Sequence, residues 1–145
     1  MAIAHRSAQS SWSGDLAHGK GMVNGASGAL AQLPVTWASR TERSAGQTSP
    51  EELIAAAHAS CFSMALSHEL SQGGHVPEQL EVTARVTLDE RDGAPTVTTS
   101  EITVDGQVPG IDQESFTKAA TNAGKQCPVS RALAGVDIRV EATLS

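Results

Sequence analysis

The order of elements along the chain, strands then helix, strands, helix and strand, predicts an α+β domain in which antiparallel sheet covers one side of the helices. Three features carry that expectation. An alanine-rich segment from Ser49 to Leu70, SPEELIAAAHASCFSMALSHEL, reads as one long helix. Two later segments, LEVTARVTLD and VDIRVEATL, alternate apolar and polar residues with the period of a half-buried strand. At 145 residues the chain has the size of one domain, residues 1–145, which buries a core without metals or disulfides to hold it.

The first forty residues are rich in Gly and Ser and read as short strands and turns, with SGDLAHGKGMV and ASGAL as turn signals. The stretch WASRTERSAGQT that follows reads as a loop. Ser49 is then the expected N-cap of the long helix, Pro50 its first residue, and Glu52 the partner of Ser49 in a capping box. Leu53, Ile54, Ala57, Cys61, Met64 and Ala65, with Phe62, Leu66 and Leu70 beside them, form a broad apolar stripe that Gly73-Gly74 ends. Phe62 and Met64 read as core. So wide a stripe needs more cover than one modest sheet supplies, which predicts a second copy of the chain against the helix. In LEVTARVTLD, Leu80, Val82, Ala84, Val86 and Leu88 face one side, and RDGAP leads through a hairpin to the β-branched run Thr96 to Val104. Asp112 caps a helix with Phe116, Ala119, Ala120 and Ala123 on one face, a short helix runs from Pro128 to Ala134, and the last strand places Val136, Ile138, Val140, Ala142 and Leu144 inward.

Ten Lys and Arg against sixteen Asp and Glu give a net charge of −6 with no basic block, which argues against a nucleic-acid groove or an anionic-membrane anchor. Only Trp12, Trp37, Phe62 and Phe116 are aromatic, too few for a base-stacking surface. The N-terminus lacks the apolar core of a signal peptide, and no run approaches the roughly 18 apolar residues of a membrane span, so a cytoplasmic location is expected. There a permanent bridge between the two cysteines, Cys61 and Cys127, is disfavoured relative to a transient or reactive pair.

A thiol reacts as the thiolate and needs positive charge or a helix N-terminus nearby. Cys61 lies about three turns into its helix, beyond the reach of the dipole, so activation has to come from elsewhere. Arg40 and Arg43, in the preceding loop, are the nearest arginines in sequence, and an arginine stays charged when partly buried. Glu52 has its capping task, which leaves Glu51 free. The plain alternative is that both glutamates simply complement the helix dipole. Cys127 precedes Pro128 at the N-cap of the short helix, where it could resolve a sulfenic acid or, like any lone cysteine, fill space as a small hydrophobe. His58, one turn before Cys61, fits a base in a Cys/His nucleophile pair, a metal ligand or a packing residue, and His68 lines the same face. No Cys-x-x-Cys or His-x-x-x-His spacing supports a metal. Residue chemistry alone leaves Cys61 open as filler, bridge, ligand or reagent.

The motifs WSGDLAHGKG, SGAL, TSPEELIAAAHASCFSMALS, VPGID and CPVSRAL run nearly end to end. Through them the chain resembles the OsmC family of osmotically inducible proteins, relatives of the organic hydroperoxide resistance proteins. The resemblance implies antiparallel sheets around two long central helices in an intertwined homodimer with sites at the subunit interface. It also implies a thiol peroxidase for organic hydroperoxides, needing no metal or bound cofactor, that serves oxidative and osmotic stress defence. By position Cys61 is similar to the peroxidatic cysteine and Cys127 to the resolving one. Glu51 matches the family's glutamate, Arg40 its arginine with Arg43 as the alternative, and His58 none of its catalytic residues. An external dithiol, of lipoyl type more than glutathione, is the implied reductant. A redox sensor or binding protein using the same thiols without turnover, and a hydrolase using His58, are the rival readings.

Overall fold

Residues 1–145 are described by a computed structural model, in which the chain forms two units, Met1–Leu53 and Ile54–Ser145. In the first, β1 (Ala8–Ser13), β2 (Lys20–Gly25) and β3 (Leu33–Val35) make an antiparallel sheet in that order. The segment 37–48, expected as loop, opens instead with a short helix, α1 (Trp37–Thr41). Local hydrogen bonds explain it. The Ser39 amide donates to Thr36 Oγ1 at 3.1 Å and the Thr36 amide to Ser39 Oγ at 3.0 Å, a reciprocal capping box that satisfies amides a helix otherwise leaves unpaired.

Helix α2 (Pro50–Gln72) has the predicted bounds and runs from the first unit into the second. Its capping differs from expectation: the Glu52 amide donates to Ser49 Oγ at 3.1 Å, but the Glu52 carboxylate accepts from Thr48 Oγ1 at 2.6 Å rather than reaching back to the Ser49 amide. The second unit continues with β4 (Gln79–Arg91), β5 (Ala94–Gln107), α3 (Gln113–Gln126), α4 (Pro128–Ala132) and β6 (Asp137–Leu144). β4 and β5 form the expected hairpin around Asp92 and Gly93, whose φ of 54° and 78° fit a tight two-residue turn that follows the strands' twist. The sheet order is β4-β5-β6, and here a third expectation fails, because β6 runs parallel to β5. Two helices lie between these strands, and such a crossover carries the chain from the end where β5 stops back to the end where β5 begins.

The core of the second unit shows which face of α2 is buried. Phe62, Leu66 and Leu70 are at most 1% exposed and pack with Ile102 and Val104 of β5 and Phe116, Ala120 and Ala123 of α3. They recur every fourth residue, and His58 begins the same row, also fully buried. Met64 lies off that row and is 68% exposed, so it is not core. An imidazole among apolar side chains needs partners. His58 Nδ1 lies 2.7 Å from Ser100 Oγ on β5, and Nε2 lies 2.8 Å from Ser130 Oγ on α4. Burial pushes the His58 pKa below the ordinary imidazole value and keeps the ring neutral, so one serine accepts from it and the other donates to it.

A Cβ on Gly106 would clash with Cζ of the buried Phe116, so Gly106→Ala should lower unfolding free energy by about 1–3 kcal/mol in denaturant titrations; an unchanged midpoint would contradict the packing. The unfolded chain protonates His58 near pH 6.5 while the native chain resists, so native stability should fall as pH drops through that value. His58→Gln should show a smaller loss between pH 7.5 and 5.5 than the native chain, and identical losses would show that His58 is not buried neutral.

Candidate functional site

In the first unit, the candidate site residues are Arg40 and Glu51. Arg40 sits on α1, whose seat is fixed by Ser39: its buried hydroxyl lies 2.8 Å from the carbonyls of both Thr36 and Thr48. From there Arg40 Nε donates to Glu51 Oε1 at 2.9 Å and Oε2 at 3.2 Å, and Nη2 lies 2.9 Å from Oε1. This fork is the geometry in which a guanidinium holds a carboxylate most firmly. The Glu51 side chain is 10% exposed and that of Arg40 32%, so the cation keeps an open side while the carboxylate is nearly closed off. The guanidinium carbon also stands 5.7 Å from the centre of the Trp37 ring. Glu51, left without a task by capping logic, thus orients Arg40. Arg43 lies beyond α1, is exposed, and forms no ion pair.

In the second unit are the two cysteines, both free thiols. Cys61 is half-buried on α2, one residue before the core position Phe62. Cys127 is fully buried where α3 ends and α4 begins. Burial pushes the Cys61 thiol pKa up, and the adjacent Cys127 thiol pushes it further by hydrogen bonding and by its charge when ionised. The Val129 backbone amide acts the other way and favours the thiolate. None of these influences is a cation. The thiols are therefore neighbours, but their own surroundings hold Cys61 protonated.

His58 serves neither sulfur as a base. Both its nitrogens are taken by serines, so the Cys/His nucleophile pair has no geometric support. Cys127 makes no side-chain cap to α4, contrary to what its N-cap position suggests, and the amide of that helix acting on a sulfur, Val129, acts on Cys61 instead. Sequence spacing gives no sign of Val129, Ser100 or Ser130. The available signals were Pro128, which starts a helix and so exposes the next amides, and a histidine on an apolar row, which demands polar partners.

Residues 43–141 match the family of OsmC-like proteins. The chain is 43% identical over 129 residues to "Peroxiredoxin OsmC" of Escherichia coli (strain K12), covering 89% of this chain and 90% of the relative. It is 31% identical over 96 residues to "Organic hydroperoxide resistance protein OhrB" of Bacillus subtilis (strain 168), covering 65% and 68%. Among solved structures, an organic hydroperoxide resistance protein OsmC from Legionella pneumophila superposes with a TM-score of 0.76 over 99% of both chains; at 23% identity this likeness shows the fold. Together with the family match over most of the chain, these likenesses establish that the chain belongs to the OsmC-like protein family.

Proposed function

We propose that this chain, acting as one functional domain over residues 1–145, is a thiol peroxidase that reduces organic hydroperoxides to alcohols. The observation that carries the reading is the adjacency of the Cys61 and Cys127 thiols. The Cys61 thiolate attacks the distal oxygen of ROOH, the O–O bond breaks, and the alkoxide takes a proton to leave as ROH, with Cys61 oxidised to the sulfenic acid. Cys127 then displaces hydroxide from that sulfur; its proton and the hydroxide leave as water, and a Cys61–Cys127 disulfide remains. An external dithiol, a lipoyl group by family resemblance, returns two electrons and two protons by exchange.

Because burial and Cys127 both oppose ionisation, the first step needs a cation, and Arg40 oriented by Glu51 is the residue proposed to supply it. The same guanidinium offers donors for the peroxide oxygens. The names of the relatives, a peroxiredoxin and a hydroperoxide resistance protein, support the substrate class. We further propose a homodimer: α2 leaves Ala56, Ala57, Ser60 and Met64 exposed, a face of small residues and one apolar anchor suited to a closely packed partner. No helix is long and apolar enough to cross a membrane.

With excess cumene hydroperoxide and dithiothreitol, the native chain should consume many equivalents per chain; a single equivalent would instead favour a redox sensor. Cys61→Ser should consume none, whereas Cys127→Ser without dithiol should consume one and stop, and full activity in Cys61→Ser would refute the mechanism. The rate of Cys61 oxidation should rise with pH as the thiol ionises. Arg40→Met should move that rise to higher pH and slow the reaction at pH 7 by about tenfold or more, since one pKa unit is a factor of ten in thiolate. An unshifted profile would remove Arg40 from the role.

A further inference from the structure

The buried histidine is not used in the chemistry above, yet one of its two bonds links α2 to α4, the helix that Cys127 precedes. His58 stands three residues before Cys61 on α2, and Ser130 three residues after Cys127 on α4, so with the helices opposed the chain has two rungs between them about one helical turn apart. The first rung is the thiol pair, which must open and close in each cycle. The second is the His58 Nε2 to Ser130 Oγ contact of 2.8 Å, a hydrogen bond between two side chains that reaches α4. Beyond the ring, Nδ1 is held by Ser100 at 2.7 Å, on the central strand of the β4-β5-β6 sheet. All three side chains are at most 5% exposed, so water does not compete for these bonds.

We infer that His58, clamped between Ser100 and Ser130, is a positioning residue for the resolving step: it holds α4 so that Cys127 meets the Cys61 sulfenic acid. The inference rests on the peroxidase reading. Helix α4 has five residues, too few to keep its own place, and Cys127 forms no side-chain cap that would anchor its start. The chain has to locate the resolving sulfur from outside, and the tie to His58 does so from the helix that carries its target. In resolution the S–O bond of the sulfenic acid breaks, the S–S bond forms, and water leaves. An S–S bond of about 2.05 Å requires closer approach than two thiols in contact, and its geometry is narrow, so a small shift of α4 slows this step more than it slows attack by Cys61 on peroxide.

The test separates the two steps in the full chain. One equivalent of cumene hydroperoxide is mixed rapidly with reduced protein, and samples are quenched with dimedone, which traps the Cys61 sulfenic acid for mass spectrometry. In Ser130→Ala, Cys61 oxidation should proceed within about twofold of the native rate, while the sulfenic acid should persist about tenfold longer or more before the disulfide forms. Ser130→Thr, which restores the hydroxyl, should recover most of the native lifetime. If Ser130→Ala does not fold, Ser100→Ala, which frees the ring at its other end, should show the same split. An unchanged lifetime, equal slowing of both steps, or failure of the threonine to recover the lifetime would overturn the positioning role. If the native chain yields neither trapped adduct nor disulfide, the peroxidase reading falls and this inference with it.

Discussion

A cysteine set mid-helix, half-buried and beside a second thiol, resists losing its proton, and the functional account of this chain depends on that resistance. Desolvation and the neighbouring Cys127 both favour the protonated form of Cys61, and the Val129 amide is the lone opposing influence. A helix dipole gives no help so far from the helix start. The fold therefore presents two neighbouring thiols with no cation among the influences on Cys61. Arg40, in its fork with Glu51, is the cation proposed to favour the thiolate: permanently charged, held by a nearly buried carboxylate, with part of its surface still open.

Under the proposed mechanism the resistance also has a use. A thiol that ionises only when a guanidinium attends it is protected from indiscriminate oxidation, and the closeness of Cys127 means that a sulfenic acid, once formed, has a thiol at hand before a second oxidation to the sulfinic level. Such closeness has to be engineered by packing, since Cys127 lies at the junction of α3 with a five-residue helix. The row His58, Phe62, Leu66 and Leu70 buries one face of α2 against β5 and α3, and its first member, the polar one, fastens α4 to the same helix.

Much of this was legible in the amino-acid sequence where punctuation is strong. Ser49-Pro50 and Gly73-Gly74 mark the ends of α2, the alternation of Leu80 to Leu88 marks β4, and Asp112 caps α3 through the Ser115 amide at 2.7 Å. Helix α1 was not legible, because five residues show no period and its capping box uses Thr36 and Ser39, residues common in loops. The parallel pairing of β6 was hidden because alternation reveals which face of a strand is buried and says nothing of its direction. The buried row on α2 was offset from the expected stripe because alanines on every side made the apolar faces hard to tell apart, which is why Met64 was assigned to the core. Cys61 and Cys127 are 66 residues apart, and family resemblance rather than spacing paired them. The free Glu51 was a genuine local signal: a carboxylate with no capping task, found with an arginine on it.

The central claim is that Cys61 and Cys127 of one chain form a redox couple driven by an organic hydroperoxide. The most direct measurement is peptide mass spectrometry of the fully reduced protein after one equivalent of cumene hydroperoxide, with free thiols alkylated at quench. The account predicts a disulfide-linked pair of peptides containing Cys61 and Cys127, absent before peroxide and lost again on treatment with dithiol. Recovery of both cysteines as alkylated thiols, with the peroxide unconsumed, would contradict it.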